Sequence, residues 1–184
     1  AQLAHEQNLP SPLATLVEHV GDTHLATFGG VILSRSDRRD IQRLGDLRGK
    51  RIATSNRTSL GSYLMQAYEL HLVGIELPRD AQVVETGQPQ DKAIEELLAG
   101  RVDAAFVRTG VFENMQRENK LDPSQLRIIN RQPDDRYPQA LSTRLYPEWP
   151  VAAMPWTDDD LARQIAAALL SLPANSPGAQ AAQI

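Results

Sequence analysis

Residues 46–62 read DLRGKRIATSNRTSLGS. A turn carrying Arg48, Gly49 and Lys50 leads into the small apolar run Ile52-Ala53-Thr54. The polar segment Ser55–Ser59 follows, and Gly61 opens the apolar-periodic run Tyr63, Leu64, Ala67, Tyr68. The pattern predicts a strand, a hydroxyl-rich loop and a helix start. A helix start leaves backbone N–H groups without intrahelical partners and carries partial positive charge, so a loop of this kind suits an anion. The same residues also fit an ordinary strand-to-helix turn in which Thr58 or Ser59 only caps the helix.

A second stretch, KAIEELLAGRVDAAFV at 92–107, repeats the theme. Ala93, Ile94, Leu97 and Leu98 recur at helical spacing, Gly100 stands where a helix C-cap belongs, and 102–107 reads as a small-residue strand. Arg108 and Thr109 then fall at the carboxyl end of that strand, before a helical stretch over 111–118. Ligands of open α/β sheets bind outside the carboxyl ends of strands, so two polar strand ends, 56–62 and 108–109, are expected to line one crevice.

Outward from these segments, 13–20 and 24–34 read as extended, joined by the hairpin signal Gly21-Asp22. Residues 37–46 are partly helical. Gln82–Glu85 is a further strand with the terminal loop 86–90, and Leu126–Ile129 another. Strands alternating with helices of this length predict an α/β fold with a mostly parallel sheet, flanking helices and right-handed crossovers. Thr157–Asp160 caps a last helix over 158–171, with Leu161, Ile165, Ala168 and Leu169 on its apolar face. Residues 1–8 are polar and fit a short helix. The Ala/Gln/Ser/Pro-rich stretch 174–184 is expected to be a mobile tail.

Composition narrows the function classes. The chain has 184 residues, 41% hydrophobic and 23% charged, with net charge −4 and no cysteine. Its arginines are dispersed among acids, which gives no support to a nucleic-acid surface. No apolar run approaches the ~18 residues of a membrane span. Without cysteine there is neither a disulfide nor a thiolate metal site. His5, His19, His24 and His71 show no metal-motif spacing and read as surface or structural. No catalytic residue and no cofactor is expected: G-x-S-x-G, H-E-x-x-H and P-loop patterns are absent, and the acidic pairs sit where solvation or capping explains them.

For binding, the candidates are hydroxyls and a cation. Thr58, Ser59 and Ser62 can donate to an oxyanion beside the backbone of Gly61, and Arg108 offers a planar fork for carboxylate, phosphonate or sulfonate oxygens. Thr109 adds a hydroxyl, and Gln88 and Gln90 lie at a third strand end. Bland readings stand beside these. Arg108 fits a surface ion pair with Glu113, and the two glutamines fit solvent-facing loop positions.

The segments DLRGKRIAT, AGRVDAAFVRTG and STRLYPEWP (142–150), with PLATL at 12–16 and FGGVILSRSD at 28–37, resemble type II periplasmic solute-binding proteins of the phosphonate/phosphite class. Within that class they are most similar to sensor domains of membrane histidine kinases of the tetrathionate-sensor type. The resemblance covers about residues 10–173. It implies a two-lobed fold with one lobe nearly whole here and the other in part, since a complete pair needs roughly 250 residues or more. The implied division is 1–34, part of the first lobe and the forward crossing; 35–140, the second α/β lobe; and 141–173, the return crossing and last helix. Phe28, Gly29 and Gly30 become a hinge candidate on the forward crossing, a simple bulge being the alternative. Ser142, Thr143 and Arg144 belong to the return crossing.

The functional expectation is an extracytoplasmic sensing domain of an inner-membrane histidine kinase, holding a small anion between lobes and signalling by closure. The alternative is a free periplasmic component of an ABC-type importer. Expected partners are the small anion, the transmembrane and kinase segments of the same chain and, through them, a response regulator; a homodimer is possible. Phosphonate binders place a histidine at the next helix start. Here Gln90-Asp91-Lys92 stands instead, so the resemblance does not fix the ligand.

Overall fold

A computed structural model describes residues 10–134, 136–173 and 175–182. The short helix expected over 1–8, and Asp135, lie outside the described residues. The chain divides into two compact units, one formed by residues up to Thr27 together with Tyr146 onward, the other by Phe28–Leu145.

The larger unit is built on a five-stranded sheet of β5 (Gly30–Arg35), β6 (Arg51–Thr54), β7 (Gln82–Glu85), β8 (Ala104–Arg108) and β9 (Leu126–Ile129), in the order β7-β6-β8-β5-β9. β6 pairs in parallel with β7 and β8, whereas β5 is antiparallel to both β8 and β9. Four strands thus share one direction and β5 opposes them, so the sheet is mixed. The reason is connectivity: β5 carries the incoming chain and has no crossover helix before it. Its run Gly-Val-Ile-Leu-Ser is wholly buried, as expected of a strand covered on both faces. Val31 and Leu33 point into one core with Ala53, Ala105 and Val107, roofed by Ile94 and Leu97 of α2 (Asp91–Leu98) and Met115 of α3 (Val111–Arg117). Ile32 points the other way, into a core with Ile52, Phe106, Ile41, Leu47 and Leu70. That is the period-two alternation of a strand.

Between β6 and β7 the chain forms a π-helical turn over Leu60–Leu64 that runs directly into α1 (Met65–Leu72). The apolar period does not mark the inward face of this helix. Tyr63 is buried, but Leu64 and Tyr68 are exposed, while Gln66 and Glu69 point inward. The widened turn shifts the helical phase, so that Gln66 and Glu69 share the inward face with Met65 and Leu70.

In the smaller unit β1 (Ser11–Thr15) pairs antiparallel with β11 (Pro150–Ala153), and β2 (Glu18–Val20) with β3 (Thr23–Leu25). The hairpin turns at Gly21, whose φ of +58° suits glycine. The two-residue strands β4 (Thr27–Phe28) and β10 (Tyr146–Pro147) mark the chain's passage between units. The units change at 27/28 and 145/146 rather than at the expected 34/35 and 140/141. The difference arises because β5 and the 141–145 segment are hydrogen-bonded into the larger unit.

The last long helix, α4 (Asp159–Leu170), is capped by Asp158, whose carboxylate accepts from Leu161 N–H at 2.9 Å. It has no buried residue, so Leu161, Ile165 and Leu169 form an exposed apolar face. Residues 177–182, expected to be part of a mobile tail, form the short helix α5 (Pro177–Ala182) with Ala179 buried. No helix among the described residues is long and apolar enough to cross a membrane.

Candidate functional site

β6 ends in Thr54, and the chain leaves the sheet through Ser55–Ser59. Asn56 orders the loop: its Oδ1 accepts from Thr58 N–H at 3.0 Å and from the Thr58 hydroxyl at 2.9 Å. Arg57 pins the loop to the end of β7, its Nε donating to Glu85 at 2.7 Å. That hydrogen bond holds the Glu85 carboxyl below its ordinary range. Ser59 is the N-cap, its Oγ accepting from Ser62 N–H at 3.3 Å, while its carbonyl accepts from Tyr63 and Leu64 N–H. The i+5 bond from Leu64 is the mark of the π-turn.

The hydroxyls divide by exposure. Thr58 is exposed and Ser59 half-buried, but Ser62 is fully buried. Ser62 Oγ lies 2.6 Å from Ser55 Oγ, and its carbonyl accepts from Thr54 Oγ1 at 2.5 Å. In this structure Ser62 therefore secures the loop from behind, while the Thr58 and Ser59 side chains lie nearer solvent.

Gly61 joins the loop to the end of β8. A side chain there would come within 3.1 Å of the Phe28 ring and 3.2 Å of Arg108 Cβ, so a larger residue would have to push the loop a few tenths of an ångström from the stem of Arg108. The Arg108 guanidinium stacks over Phe28 at 4.4 Å from the ring centroid, a cation–π arrangement. Gln90 fixes the same strand end, its Oε1 accepting from Arg108 N–H at 2.8 Å. Glu113, the ion-pair partner weighed for Arg108, accepts instead from Ala140 N–H at 2.6 Å. Gln88 is exposed, its carbonyl accepting from Lys92. Thr109 is buried, and its Oγ1 accepts from Tyr137 OH at 2.8 Å and Gly29 N–H at 3.3 Å. The structure thus gathers Thr58, Ser59, Gly61, Arg108 and Gln90 at neighbouring strand ends, with Ser62 and Thr109 behind them.

The residues expected on the two crossings form a hydrogen-bonded strip within the larger unit. Gly30 N–H donates to Thr143 Oγ1 and Ile32 N–H to Ser142 Oγ, both at 2.9 Å, and Ser142 N–H donates to the Gly30 carbonyl. Gly29 and Gly30 are needed for close approach: an added side chain would lie 2.4 Å from Leu141 Cδ1 and 2.3 Å from Gln66 Nε2, respectively. Arg144 is held by Glu69, whose Oε1 accepts from its backbone N–H at 3.1 Å and its Nε at 3.0 Å, and its guanidinium lies over the Tyr68 ring. Sequence reasoning passed over Gln66 and Glu69. A polar residue at an inward helical position is their only signal, and the π-turn hides that position.

In the smaller unit His19 and His24 are cross-strand partners with ring centroids 4.2 Å apart. The pairing follows from the Gly21-Asp22 hairpin signal, since a two-residue turn there sets residue 19 opposite residue 24. Among the described residues no cluster of His, Cys, Asp or Glu is placed to hold a metal.

Two units, a mixed sheet and a polar strand-end loop place the protein in the class of periplasmic solute-binding folds. The chain belongs to the family described as ABC transporter, phosphonate, periplasmic substrate-binding protein, which matches residues 1–183. Over 147 residues, 80% of this chain, it is 34% identical to the tetrathionate sensor histidine kinase TtrS of Salmonella typhimurium, and it spans 24% of that protein's length. Among solved structures it is similar to XAC2383 from Xanthomonas citri bound to ATP. There the TM-score is 0.72 at 20% identity, over 98% of this chain and 63% of that one. An ancestral arginine-binding protein bound to arginine aligns at TM-score 0.53 and 18% identity, over 100% of this chain and 65% of that one. At such identities the likeness is one of fold. The domain belongs to a binding-protein family and is not catalytic.

Proposed function

We propose that this domain is the extracytoplasmic sensor of a membrane histidine kinase and that it recognises a small oxyanion at the carboxyl ends of β6 and β8. One observation carries the sensing role: the match to a tetrathionate sensor kinase extends over four-fifths of the chain. The binding role is supported by the approach of the Ser59-capped turn to Arg108 through Gly61. Ser59 supplies a hydroxyl donor, Thr58 supplies a second by turning its proton from Asn56 to the anion, the first turn supplies N–H groups without intrahelical partners, and Arg108 supplies charge-assisted bonds. Closure of the lobes over the anion then shifts an equilibrium that the transmembrane and kinase segments read, which requires the anion to bind the two states unequally.

A thermal-shift series on the full-length protein tests this, with tetrathionate, thiosulfate, phosphite, methylphosphonate and sulfonates as probes. An anion at about 100 times its dissociation constant adds roughly 2.7 kcal/mol of stability, a clear rise in midpoint. No rise with any of them contradicts the proposal. The family match also favours a second reading, a transport component that delivers the anion to a permease. Anion-dependent phosphorylation of the same polypeptide selects the sensor, and uptake lost on deletion without such phosphorylation selects the importer.

A further inference from the structure

Gln66 is fully buried on the first turn of α1, pointing inward where the rest of the fold would accommodate a hydrocarbon. Its Nε2 donates to the Gly61 carbonyl at 2.8 Å and to the Val107 carbonyl at 2.9 Å. Gly61 lies in the π-turn, and Val107 immediately precedes Arg108. One carboxamide therefore ties the anion loop to the strand that carries the cation. The widened turn needs such a donor, because i+5 bonding disturbs the i+4 ladder and leaves carbonyls to be satisfied otherwise. Thr54 Oγ1 serves the Ser62 carbonyl and Gln66 Nε2 the Gly61 carbonyl.

Two further features indicate a dedicated place for this amide. Gly30 leaves room for it, since a side chain there would lie 2.3 Å from Nε2. The other end, Oε1, is buried with no hydrogen-bond partner. Packing alone does not call for a buried amide with an empty acceptor; the two bonds made by its nitrogen do.

We propose that Gln66 is the positioning residue of the site, its buried carboxamide setting the separation between the Thr58–Ser59 loop and Arg108. This rests on the anion-binding reading above, and it carries consequences of its own in the free protein. Gln66→Met keeps volume and removes the donor. Gly30→Ala keeps Gln66 but displaces its amide.

The test uses full-length protein, with hydrogen exchange at the Tyr63 and Leu64 amides and calorimetric titration with tetrathionate and methylphosphonate. Gln66→Met is expected to speed exchange at those two amides, with the α2 amides unchanged, and to weaken anion binding about tenfold. Gly30→Ala is expected to do the same, and the double variant to be no worse than either single one, because both remove one interaction. Wild-type exchange at Tyr63 and Leu64 in both single variants overturns the proposal, as does unchanged affinity or an additive double variant. If wild-type protein binds neither probe, the exchange measurement alone decides: faster exchange confined to the turn supports the positioning role, and no change overturns it. Should Gln66→Met fail to fold, Gly30→Ala decides on the same criteria.

Discussion

Ser59 and Ser62 are three residues apart and chemically identical, yet they do different work. Ser59 sits half-buried at the cap, whereas Ser62 shares its hydroxyl with Ser55 at 2.6 Å in a site closed to solvent. Ser62→Ala leaves the Ser55 hydroxyl buried with one partner fewer, at a cost of about 1–3 kcal/mol. Thermal unfolding should show a lowered midpoint, while Ser59→Ala, which loses only the long cap bond to Ser62 N–H, should cost about 0.5–1 kcal/mol and lower it less; equal effects would contradict the division of roles. Asp103 shows the same principle with charge. Burial pushes its carboxyl up, but bonds from Arg38 and from the Arg51 backbone and side chain outweigh burial and hold it at about 2, below its ordinary 3.8. A carboxyl depressed in the folded state contributes in full above the unfolded value, and its contribution is lost as pH falls through the folded one. Stability should therefore decline between about pH 4 and pH 2 in part through Asp103, and Asp103→Asn should flatten that stretch of a midpoint-against-pH curve. An unchanged acid limb would contradict it.

At the scale of elements, α1 is the junction of the larger unit. The turn before it closes the candidate loop 55–59, its first residues reach β8 through Gln66, and Glu69 grips the return crossing at Arg144. Glu69→Ala should release that crossing, raising the exchange rate of the Arg144 amide about tenfold with little change at Tyr63 and Leu64. Equal protection in the variant would mean that Glu69 does not hold the segment. Much of this architecture is legible in the sequence, because the strands 51–54, 82–85 and 126–129 are bounded by turn residues and packed on both faces. The inward face of α1 was not legible. Its buried positions are Met65, Gln66, Glu69 and Leu70, half of them polar, and the π-turn offsets them from the apolar period of Tyr63, Leu64, Ala67 and Tyr68. The reversed direction of β5 was equally hidden, since a buried run such as Val31-Ile32-Leu33 reads alike in either direction.

Over the whole molecule, the family and the strand-end location of the candidate site are written in contiguous segments, whereas the partners of its residues lie far apart in the chain. Arg108 was recognisable as a cation at a strand end. That Phe28 lies beneath it and Gly61 against its stem follows only from the packing of β5, β8 and the π-turn. The chain spans 24% of the sensor kinase it resembles and 63% of XAC2383, so its activity in the intact protein is best read there. The decisive measurement is anion-dependent phosphorylation of the full-length protein carrying Ser59→Ala and Arg108→Ala together, beside wild type and with its unfolding midpoint recorded. The account predicts a wild-type response to an oxyanion such as tetrathionate, abolished in the double variant while that protein stays folded. A double variant that still responds at wild-type anion concentrations would contradict the assignment of the site.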